Sequence, residues 1–323
     1  MQYTNKIFHL RNIINERLLP LIDNDYIYLD LPYHTNIGDL LIWQGTLEFL
    51  SQTNHKCLYS TDADNFLEKS INENTIIILH GGGNWGDLWE KHHIFRKKIV
   101  RTYPKNKIIV FPQTVYYQDK QKLLQDIEFY NNYPNVIICA RDNVSYNILA
   151  SNFKNNKILL VPDMAFFVNI KECKKNTRKI LFAKRTDKEL SLNKERYDNI
   201  PQSAEVYDWP TYETDINRFI VNKIFNKLII LSNKLNKYFN SDIKSKIIDL
   251  YWNKILKKYY INMGIKFLSN YSEIYSTRLH ISILSILMNK KIHIIDNNYG
   301  KTSNYIKTWF TSEERKYFFD EIF

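Results

Sequence analysis

The stretch Thr75-Ile76-Ile77-Ile78-Leu79-His80-Gly81-Gly82-Gly83-Asn84-Trp85-Gly86-Asp87 decides the fold class. Its first five residues form a short β-branched run, the mark of a strand. A glycine run follows at once, and residues 88–101 then carry a helical pattern. Three consecutive glycines free the backbone to adopt conformations other residues avoid and let a ligand approach it. The run lacks the Lys-Ser/Thr of a phosphate-binding P-loop and the GxGxxG spacing of a dinucleotide site. It is read as a ligand-lining loop through Gly82, Gly83 and Asn84, with a tight turn where domains meet as the alternative.

Outward from this unit the same alternation repeats. Strands are expected at 26–31, 56–59, 107–111, 136–140 and 157–161, with helices at 38–50, 118–131 and 142–150. Strands alternating with helices imply βαβ units, a parallel sheet and helices on both of its faces. In such sheets the ligand lies beyond the carboxyl ends of the strands. Residues 171–179 are charged, poor in large apolar side chains, and read as a linker. A strand at 180–183 then opens a second unit with helices at 216–235, 243–259 and 281–288 and a strand at 291–295. The first two of these helices have apolar stripes and lysine-rich opposite faces. An aromatic-rich segment, 304–323, is expected to pack as one or two closing helices. The expected class is α/β, with two Rossmann-like domains at 1–170 and 171–303 facing each other across a cleft in a glycosyltransferase-B-like manner.

Composition limits what such a chain can do. With 323 residues it is too long for one ordinary core and suits two domains. The formal net charge of +11 favours anionic partners such as phosphorylated substrates or membrane headgroups. The alternative is a general Lys/Asn bias on solvated faces. No nucleic-acid-binding signature is present, so nucleic acid is not an expected partner. Cys57, Cys139 and Cys173 are far apart and form no CxxC pair, so neither a zinc site nor a disulfide framework is expected. Arg11, Glu16 and Arg17 interrupt the apolar residues near the N-terminus, and no apolar run reaches the ~20 residues of a membrane span. A reducing cytoplasm is the expected location, with the basic helices of 216–259 as a potential contact with the inner membrane face.

Candidate functional residues sit at strand ends. In His34-Thr35-Asn36-Ile37-Gly38-Asp39, a strand-to-helix turn offers backbone N–H groups to an anion. Asp39 would repel phosphate and suits a general base or an anchor for a sugar hydroxyl; alternatively Asn36 or Asp39 caps the helix. In Ala140-Arg141-Asp142 the arginine presents a planar fork suited to carboxylate or phosphate. Phe111-Pro112-Gln113-Thr114 and Val161-Pro162-Asp163 also follow strands, where they either line the cleft or turn the chain. In Ser276-Thr277-Arg278-Leu279-His280 the Arg and His are two apart and need an extended segment to point the same way. Lys301, closing Asp296-Asn297-Asn298-Tyr299-Gly300-Lys301, is placed as a phosphate contact.

Together, NIGDLLIWQG, LHGGGNWGDLW, FPQT, ARD, VPDMAF, LFAKRTDKE, TRLH and IDNNYGK run in order from about residue 30 to 301 and resemble the polysaccharide pyruvyltransferase family of bacterial exopolysaccharide and capsule clusters. The resemblance implies a glycosyltransferase-B-like fold and phosphoenolpyruvate as donor. It also implies a saccharide acceptor, whether free, polymeric or lipid-linked, and a pyruvate ketal product with release of phosphate. The family's donor-binding arginine falls on Arg141, its Arg-x-His pair on Arg278 and His280, its C-terminal lysine on Lys301 and its acidic residue on Asp39. Residues 190–260 match poorly. The chemistry needs cations for a carboxylate and a phosphate, and an acid for the methylene carbon. His280 is the expected acid, since histidine titrates near working pH. Asn36, Gly82, Gly83, Asn84 and Gln113 are expected to line the substrate. No metal or further cofactor is required by this scheme. Two other readings are a glycosyltransferase using a nucleotide sugar and a non-catalytic carbohydrate- or membrane-surface-binding protein.

Overall fold

The computed structural model describes residues 3–170, 177–185, 197–210, 243–296 and 300–319. The chain begins with helix α1 (Thr4–Leu18) and continues β1 (Tyr26–Leu29), α2 (Ile37–Leu50), β2 (Cys57–Thr61), β3 (Ile76–Leu79) and β4 (Gly82–Gly86). It goes on through α3 (Glu90–Thr102), β5 (Ile108–Tyr116), α4 (Lys120–Asn131), β6 (Val136–Ala140), α5 (Asn143–Asn152) and β7 (Lys157–Leu160). The described strands of this half form one sheet in the order β2-β1-β3-β5-β6-β7, with β4 paired beside β5. A second sheet is built from β8 (Ile180–Ala183), β9 (Glu205–Tyr207), β10 (Glu273–Ser276) and β11 (Lys291–Ile294), in the order β11-β10-β8-β9. Its helices are α6 (Ile243–Tyr251), α7 (Lys257–Ser269) and α8 (Leu279–Leu287), followed by α9 (Lys301–Trp309) and α10 (Ser312–Phe319). Every strand pair among the described residues is parallel.

Side-chain alternation explains the first sheet's two covered faces. Tyr28, Ile76, Ile78, Ile109, Phe111 and Cys139 pack with α1 and α2 on one face. Ile27, Leu29, Ile77, Leu79, Ile108, Val110 and Ile138 pack with α3, α4 and α5 on the other. A side chain of this size, fully buried, contributes about 1.5–3 kcal/mol, which is why the short strands hold. The first of these cores continues without a break into Leu181, Ile274 and Ile292 of the second sheet.

Strand order fixes where a ligand can lie. In the first sheet β2 and β3 flank β1, and in the second β9 and β10 flank β8. Each sheet therefore has a crevice at its carboxyl edge, between β1 and β3 and between β8 and β10, where the winding reverses.

Several elements depart from the sequence expectation. The glycine run is a strand: β4 pairs with β5 through Gly82↔Gln113 and Gly86↔Tyr116. Gly82 and Gly86 hold φ of 132° and 115°, which a side chain would strain. Strand β5 runs on through Pro112 instead of ending at Phe111, because its register against β6 slips between Val110 and Gln113. That is where a residue without an N–H is tolerated. The expected helix 243–259 is divided into α6 and α7 by a π-helical turn, Trp252–Leu256. The closing segment starts three residues early, at Lys301. The expected helix 216–235 and most of the expected linker lie outside the described residues.

Candidate active site

Residues following strands of both sheets line one cavity of about 340 Å³. From the first sheet come His34, Asn36 and Asp39 after β1, and Gly83 and Asn84 within β4, joined by Trp89 and His92. From the second come Arg185 after β8, Trp209 after β9, Arg278 and His280 after β10, and Lys301 after β11. Both topological crevices therefore open on the same space.

Two cations converge on Gly83. A Cβ at this glycine would stand 2.7 Å from Lys301 Nζ and 3.3 Å from Arg141 Nη2. Arg141 is wholly buried behind the cavity wall. Its Nε donates to Thr114 Oγ1 at 2.7 Å and its Nη1 to Asp163 Oδ2 at 2.6 Å. Its Nη2 has no hydrogen-bond partner among the described residues. An unsatisfied buried donor costs about 1–3 kcal/mol, and an anion seated at Gly83 would recover it. Lys301 is the first residue of α9, whose N-terminal amides at Thr302 and Ser303 are capped by Asp296 Oδ1 at 3.2 and 3.3 Å.

His280 stands on the first turn of α8 with Nε2 3.4 Å from Asp163 Oδ2. Burial alone would raise the Asp163 carboxyl, but the charge of His280, their hydrogen bond and then Arg141 outweigh it and hold the group well below the usual carboxylate range. The other side of the His280 ring rests on the backbone of α2: a Cβ at Gly38 would fall 2.8 Å from its Cγ. Asn36, not Asp39, caps α2, accepting from Gly38 N at 3.0 Å, while its Nδ2 donates to Asp39 Oδ2 at 2.8 Å. Burial works to raise Asp39, yet His34, then His280, His80 and Lys301 hold it below its ordinary value. Asp39 is thus an ionised acceptor facing the cavity.

The remaining expected residues fall into different places. Arg278 lines the cavity, but its fork closes on the Asp208 carboxylate through Nε–Oδ1 and Nη2–Oδ2, the latter at 2.6 Å. Gln113 does not line it: the side chain is fully buried, donating to His80 O at 2.6 Å and accepting from Asn84 N at 3.2 Å. It ties β4 to the end of β3 and so shapes the glycine strand from behind. Gly82 is likewise set back, with a Cβ position 3.7 Å from Asp39 Oδ1. Arg185, Trp209, Trp89 and His92 were not singled out in the sequence; the strand end at Ala183 is the signal that could have found the first. Among the described residues no cluster of His, Cys, Asp or Glu is arranged to hold a metal ion, and no helix is long and apolar enough to cross a membrane.

Two parallel sheets whose carboxyl edges share one cavity lined by arginine, lysine, histidine and aspartate side chains define the α/β class of the protein. Residues 36–299 match the family model for polysaccharide pyruvyl transferase, and the chain belongs to that family. It is 34% identical over 304 residues to a Bacillus subtilis (strain 168) protein named "Putative pyruvyl transferase EpsO", a match covering 92% of this chain and 90% of that one. It is 29% identical over 296 residues to "Pyruvyl transferase 1" of Schizosaccharomyces pombe (strain 972 / ATCC 24843), covering 87% and 68% respectively. A crystal structure of a Klebsiella pneumoniae subsp. pneumoniae NTUH-K2044 protein shares the fold, with a TM-score of 0.58 at 18% identity over 97% of this chain and 95% of that one. The motif resemblance read from the sequence therefore names the right family.

Proposed function

We propose that the protein transfers the pyruvyl group of phosphoenolpyruvate onto two hydroxyls of one sugar in a surface polysaccharide or its precursor, forming a ketal and releasing phosphate. The observation that carries this reading is the convergence of Lys301 Nζ and the unpartnered Arg141 Nη2 on Gly83, beside His280. A donor with two anionic ends needs such a seat, and fixed cations in a buried wall act strongly on developing charge. The wider arrangement is two Rossmann-like units in a glycosyltransferase-B-like relation, a reading supported by the two switch points opening on one cavity.

The residues suggest roles. Arg141 and Lys301 hold the donor anion. His280 protonates the methylene carbon as an acceptor hydroxyl attacks the central carbon, and Asp39 orients that hydroxyl and takes its proton. A second hydroxyl then displaces phosphate and closes the ring. The exposed Trp89 and the half-buried Trp209 give the acceptor sugar apolar surface on the open side of the cavity. The scheme needs no further cofactor.

Incubating the protein with phosphoenolpyruvate and candidate glycosides tests this, with phosphate release measured and the ketal sought by mass spectrometry. His280→Ala and Arg141→Ala should each abolish phosphate release. Thermal stabilisation by nucleotide sugars but not by phosphoenolpyruvate would overturn the reading.

A further inference from the structure

Ketal formation removes a proton from each of two hydroxyls, and Asp39 accounts for one of them. A second proton acceptor faces the same cavity. His92 on α3 lines it with its side chain 24% exposed. Its Nδ1 lies 2.7 Å from Oδ1 of Asp30, whose side chain is only 1% exposed.

Asp30 directly follows β1 with φ of 66°, a left-handed conformation. Such strain costs on the order of 1–3 kcal/mol and clusters at functional sites. Here it turns the carboxylate sideways beneath α3. Arg96, one turn beyond His92 on the same helix face, holds the other oxygen through Nε at 2.9 Å and Nη2 at 2.8 Å. Arg96 is itself fixed by donation to Asn84 O at 3.3 Å and His80 O at 3.2 Å. Burial works to raise Asp30, but Arg96 and then His92 keep it ionised below its ordinary range. A fixed carboxylate beside Nδ1 selects the tautomer with the proton there, leaving Nε2 as the basic nitrogen.

We propose that His92, oriented by Asp30, is the base for the second acceptor hydroxyl, a role that rests on the pyruvyl-transfer reading. Asp39 and His280 are neighbours across Gly38, which suits the first step, where hydroxyl attack and carbon protonation coincide. His92 approaches from α3 and serves ring closure. The hydroxyl oxygen bonds to the central carbon as its bond to the phosphate oxygen breaks. The electron pair leaves with phosphate, and the hydroxyl proton passes to Nε2, from which the departing phosphate takes it. His92 is a catalytic residue in this scheme and Asp30 a positioning residue.

The test measures kcat and KM for ketal formation, phosphoenolpyruvate binding by calorimetry, and the acceptor's mass, in wild type, Asp30→Asn, His92→Ala, His92→Gln and the Asp30→Asn/His92→Ala double variant. Expected is a kcat loss of at least about 10²-fold in both His92 variants. Donor binding should be unchanged, kcat in His92→Ala should partly recover with added imidazole, and an acceptor carrying both the pyruvyl carbons and phosphate should accumulate. Asp30→Asn should lower kcat on its own yet add little in the His92→Ala background, since it acts through the same ring. His92→Gln keeps the size and polarity of the site, so it decides the matter if His92→Ala does not fold. A His92→Gln enzyme with wild-type kcat, or one altered only in acceptor KM, would overturn the proposal. A wild-type protein that consumes no phosphoenolpyruvate with any acceptor would instead overturn the reading beneath it.

Discussion

Replacing Gly38 by Ala tests whether the placement of one ring governs turnover. The new Cβ would stand 2.8 Å from Cγ and 3.0 Å from Cβ of His280, so either α2 or the ring must yield. Helix α2 cannot easily move, because its Gly45 already lies against the Met164 backbone, where an added Cβ would stand 2.8 Å from the carbonyl carbon. The ring is therefore expected to swing, lengthening a 3.4 Å contact with Asp163 that has no slack to lose. A displacement of about 1 Å in a group that must meet a reacting atom costs roughly 10²-fold in rate, or about 2.7 kcal/mol in the barrier. Stability should change less. Alanine gains about 0.5–1 kcal/mol in the helix, while overpacking costs about 1–3 kcal/mol, leaving a net loss near 1 kcal/mol. Steady-state phosphate release should show kcat down by about two orders with the donor's Kd unaltered, since Arg141 and Lys301 are untouched. A Gly38→Ala enzyme with wild-type kcat would refute the reasoning, as would one whose loss resides in donor affinity alone.

The remaining predictions concern stability and binding. Arg141→Gln breaks a buried ion pair with Asp163 and should cost about 3–5 kcal/mol in urea unfolding, whereas Lys301→Ala should cost less. Phosphoenolpyruvate is expected to raise the Tm of the wild type, and both variants should lose that rise. His80 is buried, and burial depresses its imidazole to about 4, so its folded value lies below the unfolded one. Its stabilising contribution is then full above about pH 6.5 and lost as pH falls towards about 4, on the order of 3 kcal/mol in all. His80→Gln should flatten that part of the stability–pH curve. Gly45→Ala should be the most destabilising glycine substitution in α2, because the obstacle is backbone and cannot rotate away.

Much of the first sheet was legible because its strands are apolar runs broken by helices of the right length. Val136–Ala140 has the expected bounds, as does Ile180–Ala183 in the second sheet. The short strands Glu205–Tyr207 and Glu273–Ser276 were not expected, since three or four residues mixing Glu, Ser and Tyr carry no period to read. Helix α1 was noticed only for its charges, although Leu10, Ile14 and Leu18 recur at the spacing of a buried face. Family order pointed to Arg141, His280 and Lys301, and these do meet in one place. What order could not give was pairing. Arg278 turns to Asp208, seventy residues away, and Gln113 turns inward to His80. His92 looks like any polar residue on a helix until Asp30, sixty-two positions earlier, is folded beneath it.

Helix α9 bears on the order in which the cluster around Gly83 is completed. From α9, Tyr305 Oη accepts from Asp163 N at 3.0 Å and Trp309 Nε1 donates to Arg141 O at 2.7 Å, bonds that span 142 and 168 positions of sequence. Lys301 heads the same helix. The first sheet can therefore close while later chain is still being synthesised, since domains fold as units in N-to-C order. The cluster around Gly83 cannot, because Lys301, Tyr305 and Trp309 all belong to α9, which follows both sheets in the chain. A chain halted before α9 would hold every described strand of both sheets but neither Lys301 nor the two bonds that brace Asp163 and Arg141.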